Sequence, residues 1–492
     1  MKAGIYFVLL ICIVLSGCSL SKNYNADKKY PKEKLQQDYT LLRNILEKKH
    51  PSLYWYTSKD SMDYYFDEGY KNISDSMTEL QFGWKILAPL TNKIHCGHTS
   101  FSMSKGWNKF IRDKRIPSFP LYLKIWKDTM MVTDNINRKD SVIKKGMFIT
   151  SINGIKNKDL INKMSGYVVQ DGYEDNVNYI RFSTSFPYFH RNIFGIYKNY
   201  SVEYLDSAGV ERKAMVPLFG LTEDTLKKIK NFPPVKQKRI TRKEKLESVR
   251  SLQTNDGISI MTINSFSDGS HLKKFFRRSF RYIRKNNIKH LVIDIRANGG
   301  GDISNYVRLT KYIRNINFKV ADTTAAISKN FAPYTKYIKS GFLNNIALFF
   351  LTGKKTDGRY HFGYWERHTM KPKTNNHFSG DVFVLTNGLT FSASSLFCNS
   401  VKGQDNVSLV GENTGGGWHG NSGIMIPDIT LPNTKLRVRL PFFRIVQYQH
   451  IPKTGTGVIP DIYIGPSSDA LKNDIDRKME FVKKLIKEKE AK

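Results

Sequence analysis

The stretch DVFVLTNGLTFSASSLF, residues 381–397, decides the fold of this chain. Residues 382–385 form a short apolar run between a glycine and an Asn-Gly pair, which is typical of a strand buried on both faces. A hydroxyl-rich turn follows and leads into Leu396 and Phe397, and a hydroxyl residue ahead of an apolar run commonly begins a helix. The sequence therefore predicts a serine at a strand-to-helix junction.

Ser392, at this junction, allows two interpretations. The unpaired N–H groups and partial positive charge of a helix N-terminus stabilise a developing negative charge, so a serine there can be a nucleophile with oxyanion donors beside it. The serines of the turn can also simply cap the helix. The stretch alone leaves both interpretations open.

A second strand signal ends in glycines. LVIDIRANGGGD, residues 291–302, has an apolar run that leads into an acid-base pair and three consecutive glycines. Glycines at a strand end let the backbone approach a ligand closely and direct N–H groups at an anion. A nucleotide site at this turn is disfavoured, because the turn has neither the Gly-x-Gly-x-x-Gly nor the Gly-Lys-Ser/Thr pattern.

These two stretches, with GENTGGG at residues 411–417, resemble the core of the carboxyl-terminal-processing (tail-specific) serine peptidases. The resemblance spans about residues 257–465 and reaches back, through a middle domain, to about residue 94. It implies an α/β protein with a crotonase-like (ClpP/crotonase-type) peptidase core, a helical N-terminal unit and an inserted PDZ-like β domain.

The PDZ-like interpretation depends on GMFITSING, residues 146–154, which is similar to the pattern of that domain. Met147 stands where the pattern usually has an acidic residue. A PDZ domain binds a chain end by adding it as a strand to a sheet edge. A small β domain that only buttresses the core is the alternative.

At 492 residues the chain is long enough for two or three domains. The expected divisions are a lipoprotein signal peptide (1–17), a tether (18–32), a helical N-terminal unit (33–110), a PDZ-like domain (116–220), a basic linker (221–252), a peptidase core (253–466) and a C-terminal helix (467–492).

The N-terminus predicts export. Lys2 precedes an apolar run, residues 5–15, that is too short to span a bilayer as a mature helix and is typical of a signal peptide. LSGC, residues 15–18, resembles the bacterial lipobox, which implies a lipid on Cys18. The expected location is therefore the cell envelope, with the chain lipid-anchored to a bacterial membrane and facing the periplasm. An uncleaved anchor is the alternative.

The formal net charge of +35 would ordinarily suggest a nucleic-acid partner. Export argues against nucleic acid, and the excess of Lys and Arg is spread along the chain as on a solvated surface. Attraction to anionic envelope polymers or to acidic substrates stays open. The expected partners are a protein or peptide substrate and, through the lipid anchor, the membrane; the oligomeric state stays unknown.

KIHCGHT, residues 93–99, precedes the inserted domain. His95, Cys96 and His98 are crowded onto one short loop with no further ligand pair, so a zinc site is disfavoured, and no metal or cofactor is expected. In family members without a catalytic lysine, a similar Gly-His-Thr supplies the general base. The resemblance therefore implies that role for His98, while His95 is expected to be structural.

The best-known branch of the family places a lysine about 25 residues after the nucleophile, and here that place falls on Gly417. The resemblance therefore points to the lysine-lacking, tricorn-like branch, in which serine works with histidine. Ser392 would attack the peptide carbonyl, with the N–H groups of Ala393 and of Gly299 or Gly300 holding the oxyanion.

The acid that would orient His98 is missing from its expected place, because Thr454 stands where the tricorn-like pattern has a glutamate. Glu412 is a possible substitute, and a structural role in its own turn is the alternative. Ser395 also replaces a usual glutamate. A peptidase-fold lipoprotein that has lost turnover and binds polypeptides or envelope components is therefore the second functional hypothesis.

Two cysteines follow the lipobox, Cys96 and Cys398, and both neighbour the proposed site in sequence. A disulfide and a pair of buried thiols are both open.

Overall fold

The computed structural model describes residues 24–112, 114, 116–206, 208–220, 240–339, 348–448 and 451–491. The predicted signal peptide, Cys18 and part of the predicted tether and linker lie outside these residues. Among the described helices, none has both the length and the apolar character needed to cross a membrane.

The N-terminal unit is mainly helical. Its first helix buries Leu35, Tyr39, Leu42 and Leu46, which recur every three or four residues and so share one face. Its helical stretch at residues 79–92 is interrupted by a π-helical turn. The elements are β1 (Lys29–Tyr30), α1 (Lys32–Lys49), α2 (Lys59–Lys71), β2 (Met77–Thr78), α3 (Glu79–Phe82), the π-turn (Gly83–Leu87), α4 (Ala88–Asn92), β3 (Phe101–Ser102) and α5 (Lys105–Arg112).

The inserted domain is built on an antiparallel sheet of order β4-β5-β6-β8-β9, with the short β7 paired to β6. One helix packs along its first strand. The elements are β4 (Leu121–Trp126), β5 (Thr129–Asn135), β6 (Phe148–Ile152), β7 (Ile155–Lys156), α6 (Asn157–Ser165), α7 (Asn176–Ile193), β8 (Asn199–Leu205) and β9 (Glu211–Pro217).

The rest of the chain forms an α/β domain. Its elements are α8 (Arg242–Val249), β10 (Arg250–Asn255), β11 (Ile258–Ile263), a 3₁₀ turn (Asp268–Ser270), α9 (Leu272–Lys285), β12 (His290–Asp294), α10 (Ile303–Ile313), β13 (Ala321–Ala326), β14 (Gly353–Lys354), β15 (Tyr360–His361), α11 (Gly363–Arg367), β16 (Asp381–Thr386), α12 (Ala393–Val401), β17 (Val407–Gly411), β18 (Gly420–Gly423), β19 (Asp428–Thr430), β20 (Arg437–Arg439), β21 (Phe443–Gln447), β22 (Ile462–Tyr463), α13 (Ser468–Lys472) and α14 (Arg477–Glu490).

The central sheet has the order β10-β11-β12-β16-β17-β22, and all of its pairs except β10-β11 are parallel. Strand β16 is buried on both faces, as its sequence predicts. Val382 and Val384 join the core under α9, α10 and α12, whereas Phe383 and Leu385 pack with α14 on the other face. The mixed α/β character expected from the sequence is confirmed.

The structure differs from the sequence-based expectation in the predicted linker 221–252. Its described end forms α8 and the start of β10, which pairs with β11 along its whole length. The sheet therefore begins before residue 253. The charged residues in the described part of this segment, 240–252, lie on a solvent-exposed helix and on an edge strand, where charge is tolerated.

Two smaller sheets accompany the central sheet, and the second also includes a strand of the N-terminal unit. One has the order β14-β15-β13-β21-β18, and the other has the order β19-β20-β3. In the second sheet Val438 of β20 pairs with Phe101 of β3. Because β3 begins only three residues after His98, this pairing fixes the histidine loop against the α/β domain.

Candidate active site

Ser392 lies between the end of β16 and the start of α12 in an uncommon backbone conformation. Its φ is +55° and its ψ is −122°, a region that L residues rarely adopt and that is retained mainly where surrounding structure enforces it. Its side chain makes no capping hydrogen bond to the helix. The capping interpretation therefore does not describe Ser392, whose hydroxyl is left for another use.

The triple glycine lies directly against this serine, because β12 and β16 are parallel neighbours in register and end at the same edge of the sheet. A Cβ atom on Gly300 would lie 2.7 Å from the Cβ of Ser392 and 2.9 Å from the carbonyl oxygen of Phe391. The φ of Gly300 is +104°, which also favours glycine. Gly300 thus permits the close approach of the two turns.

Two N–H groups at this junction are available as oxyanion donors. Within the described part of the chain, the N–H groups of Gly299 and Ala393 have no hydrogen-bond acceptor. The N–H of Gly300 instead donates to Oδ1 of Asn298, at 3.0 Å. Of the predicted donors, Gly299 and Ala393 therefore fit the role, and Gly300 serves the packing.

His98 and Ser392 line the same cleft, whose volume is about 600 Å³. The His98 side chain is only 5% exposed, and its ring centroid lies 4.8 Å from that of Phe391, the residue before the serine. No hydrogen bond joins the His98 ring to Ser392 among the described residues, and Nδ1 of His98 is buried without a partner. Catalytic hydrogen bonds often tighten only when substrate binds.

Asp171 holds the histidine loop in place, and sequence reasoning missed it. This buried carboxylate accepts a hydrogen bond from the N–H of Gly97 at 2.7 Å and another from the N–H of Gly417 at 3.3 Å. His95 supports the same contact, since its Nδ1 donates to the carbonyl of Gly172. His95 is therefore structural, as expected, and Asp171 joins the loops of the two predicted motifs.

His98 is a neutral acceptor at physiological pH. Burial, together with the charges of Arg439 and Arg181, lowers the pKa of His98 to about 3. A neutral imidazole is the form that can accept a proton from a serine hydroxyl.

Glu412, the candidate acid for orienting His98, is engaged elsewhere, and so is Thr454, which stands in place of the expected glutamate. Glu412 forms an ion pair with Lys478 of α14, and the hydroxyl of Thr454 hydrogen-bonds to that of Thr456 at 2.8 Å. The Glu412 substitution for the missing glutamate is therefore wrong, because the C-terminal helix engages this carboxylate. Ser395, in the first turn of α12, donates to the carbonyl of Thr390.

Cys96 and Cys398 are both free and buried, so the interpretation as two thiols holds. Burial raises the pKa of Cys96 to about 11 and raises that of Cys398 as well. Neither is poised as a thiolate nucleophile. Among the described residues, no group of three His, Cys, Asp or Glu side chains is arranged to hold a metal ion.

Asp171 gives a testable pH dependence of stability. Burial raises its pKa from 3.8 to about 6, so the folded chain binds the proton more tightly than the unfolded chain. Stability is then lost as the pH rises from about 4 to above 6, by about 3 kcal/mol from this residue. We expect Asp171→Asn to remove this loss, as measured by urea unfolding of both proteins at pH 4 and pH 7.5. The exposed Asp405→Asn is the control, and parallel wild-type and Asp171→Asn values would contradict the expectation.

A strained serine at a helix N-terminus, two free N–H groups and a histidine in one cleft define an active site of the serine-peptidase class. Residues 257–464 match the model of peptidase family S41. The family resemblance inferred from the sequence is confirmed.

Two solved structures of mature CPAF support the same fold. Mature CPAF has a TM-score of 0.62 to this chain at 13% identity, over 92% of this chain and 96% of that one. Mature CPAF complexed with lactacystin has a TM-score of 0.61 at 13% identity, over 92% and 97%. A putative peptidase from Parabacteroides merdae has a TM-score of 0.46 at 15% identity, over 92% and 96%. No curated protein has a sequence that matches significantly.

Proposed function

We propose that the chain is an exported, membrane-anchored serine endopeptidase that hydrolyses peptide bonds of protein substrates. The observation that carries this proposal is Ser392, held with positive φ at the mouth of a cleft that also contains His98 and the free N–H groups of Gly299 and Ala393. Such a constellation suits nucleophilic acyl transfer.

The mechanism follows from these positions. Oγ of Ser392 attacks the carbonyl carbon while the ring of His98 takes the hydroxyl proton. The oxygen that becomes negative accepts hydrogen bonds from the N–H groups of Gly299 and Ala393. The C–N bond then breaks, and His98 returns the proton to the leaving amine. Water, deprotonated by His98, hydrolyses the acyl-enzyme and restores the serine.

The inserted domain has a supporting role in this proposal. The N–H of Ile125, in β4, donates to Oγ of Ser183 on α7 at 2.8 Å, so the helix occupies this position of the strand edge. A chain end that added to β4 would have to displace this contact. This observation favours a β domain that buttresses the core over a domain that captures a chain end at this edge. The PDZ-like assignment of the inserted domain and the crotonase-like assignment of the core both remain part of the proposal.

The anchor is proposed from the sequence pattern LSGC at residues 15–18. Cleavage before Cys18 and lipidation of its thiol would place the enzyme in the cell envelope, with the soluble part facing the periplasm. A Cys18→Ser variant that still carries lipid, as shown by mass spectrometry of its N-terminal peptide, would contradict this part.

A serine-directed fluorophosphonate probe tests the catalytic proposal. We expect mass spectrometry to find the wild-type chain labelled on Ser392, because its hydroxyl is activated and the phosphonyl oxygen fits the oxyanion donors. Ser392→Ala should stay unlabelled, whereas Ser394→Ala, which alters a buried hydroxyl two residues away, should label like the wild type. Equal absence of label from the wild type and Ser392→Ala would reject the peptidase and support the inactive binding protein.

A further inference from the structure

A second cavity adjoins the catalytic cleft. Its volume is about 440 Å³, and it shares Gly97, Arg181 and Arg439 with the cleft. The two arginines therefore stand at the junction of the two spaces, beside the loop that carries His98.

Arg439 is directed to this junction by strand pairing. Its N–H donates to the carbonyl of Ser100 at 3.0 Å, next to the pairing of Val438 with Phe101. Val438 is fully buried, so the alternation of side chains along β20 turns Arg439 away from the core. Arg437 points the same way but is engaged by Asp428, at 2.8 Å.

Neither junction arginine has an ion-pair partner among the described residues. Arg181 is partly buried on α7 and donates one hydrogen bond, to the carbonyl of Val169. Burial lowers the pKa of Arg181 to about 10, which reflects poor solvation of its charge. Asp171 acts on Arg181 electrostatically but forms no direct ion pair with it among the described residues. A guanidinium carries five N–H donors, and a poorly solvated one with donors to spare favours an incoming anion.

The second cavity is aromatic beyond these arginines. Trp84 packs edge-on against Phe101, with ring centroids 5.4 Å apart, and against Tyr188 at 5.6 Å. Phe189 completes this wall. Nε1 of Trp84 is buried and has no partner in the described ranges, so it can donate a hydrogen bond to a bound substrate. Such a space suits a large apolar side chain with a polar neighbour.

We propose that Arg181 and Arg439 bind a carboxylate of the peptide substrate, with the neighbouring large apolar residue of that substrate in the aromatic cavity. The inference rests on the proposed function and adds a substrate class to it. His98 delivers its proton to the leaving amine, so the His98 side of the cleft receives the leaving peptide. The carboxylate therefore belongs to the C-terminal side of the cleaved bond.

Carboxylate binding at this place would also affect catalysis. The charges that face His98 are those of Arg181 and Arg439, while the buried Asp171 acts on Arg181. A bound carboxylate offsets the two positive charges and so makes protonation of His98 easier. Acidic peptides should then have both a higher kcat and a lower KM. A site that only binds the carboxylate would lower KM without raising kcat.

The test uses three alanine-serine dodecapeptides that differ at one acidic group. The first carries Phe-Glu and an amidated end, the second carries Phe-Gln and an amidated end, and the third carries Phe-Gln and ends in a free carboxylate. We expect kcat/KM to be roughly 10- to 100-fold higher for a carboxylate peptide than for the neutral one. Preference for the first peptide identifies an acidic side chain as the ligand, and preference for the third identifies the chain terminus.

Arg439→Gln should abolish this preference and Arg439→Glu should reverse it, whereas Lys435→Glu, an exposed change of charge outside both cavities, should preserve it. Arg181→Gln provides a second variant. Fluorescence anisotropy with the Ser392→Ala chain reads binding of the same peptides without turnover. The inference is overturned if the three peptides have equal kcat/KM and equal affinity. It is also overturned if the preference for a carboxylate peptide survives Arg439→Gln. If the wild-type chain is not labelled by the fluorophosphonate but Ser392→Ala still binds the carboxylate peptides more tightly, only the proposed peptidase activity is overturned.

Discussion

Replacement of Ser392 by alanine should lower kcat/KM for a fluorescent casein substrate by about 10⁶-fold, the loss typical of removing a serine nucleophile. The hydroxyl makes no capping bond, so its removal costs the helix no hydrogen bond. Alanine also inherits the same strained φ without adding volume. We therefore expect the melting temperature of the variant to stay close to that of the wild type while turnover disappears.

Ser394→Ala is the matched control for this prediction. Ser394 lies on the same first turn of α12, and its buried hydroxyl has no partner within the described part of the chain. Turnover within about twofold of the wild type is expected, because the hydroxyl that is removed makes no hydrogen bond among the described residues. A Ser392→Ala chain that retained even a hundredth of the wild-type activity would assign the nucleophile to another residue.

The sequence predicted the parts of the site that are encoded locally. Strand β16, the serine that follows it and the glycines after β12 are each contained in one short stretch, and the parallel pairing of the strands brings them together. Their residue types report their surroundings, because a strand buried on both faces must be apolar and a crowded turn needs glycine.

The contacts that complete the site join distant segments, and no local pattern marks them. Asp171 binds the N–H groups of Gly97 and Gly417, which are 74 and 246 residues away in sequence. An aspartate before a glycine usually indicates only a turn. Arg439 reaches the cleft only because β20 pairs with β3, a strand of two residues that gives no recognisable signal.

The expectation that Glu412 orients His98 fails for the same reason. Glu412 lies in a motif near the serine helix, which made it a candidate, but Lys478 of α14 pairs with its carboxylate. The sequence could not show that the C-terminal helix packs under this turn. His98 is consequently left with an unpartnered Nδ1, and a carboxylate bound by Arg181 and Arg439 would add negative charge beside the ring.

His98→Gln should lower kcat by about 10⁴- to 10⁶-fold, because an amide cannot take the serine proton. Glutamine retains much of the side-chain volume against Phe391, so unfolding by urea should change little. His368→Gln, on the exposed surface, is the control and should keep wild-type turnover. Fluorophosphonate labelling of His98→Gln should slow in parallel with peptide hydrolysis, and a variant that labels and hydrolyses at the wild-type rate would remove His98 from the mechanism.

The pH profile gives the second arm of this prediction. Because the pKa of His98 is lowered to about 3, the base stays deprotonated well below neutrality, and kcat/KM for the neutral amidated peptide should be constant from pH 8 to about pH 5. Asp171→Asn, measured alongside, identifies any change near pH 6 that comes from that carboxylate. For the carboxylate peptides, kcat reports the substrate complex, in which the arginine charges are offset. The fall of kcat at acidic pH should therefore occur at a higher pH than the fall of kcat/KM. If both quantities fall at the same pH, no bound carboxylate acts on His98.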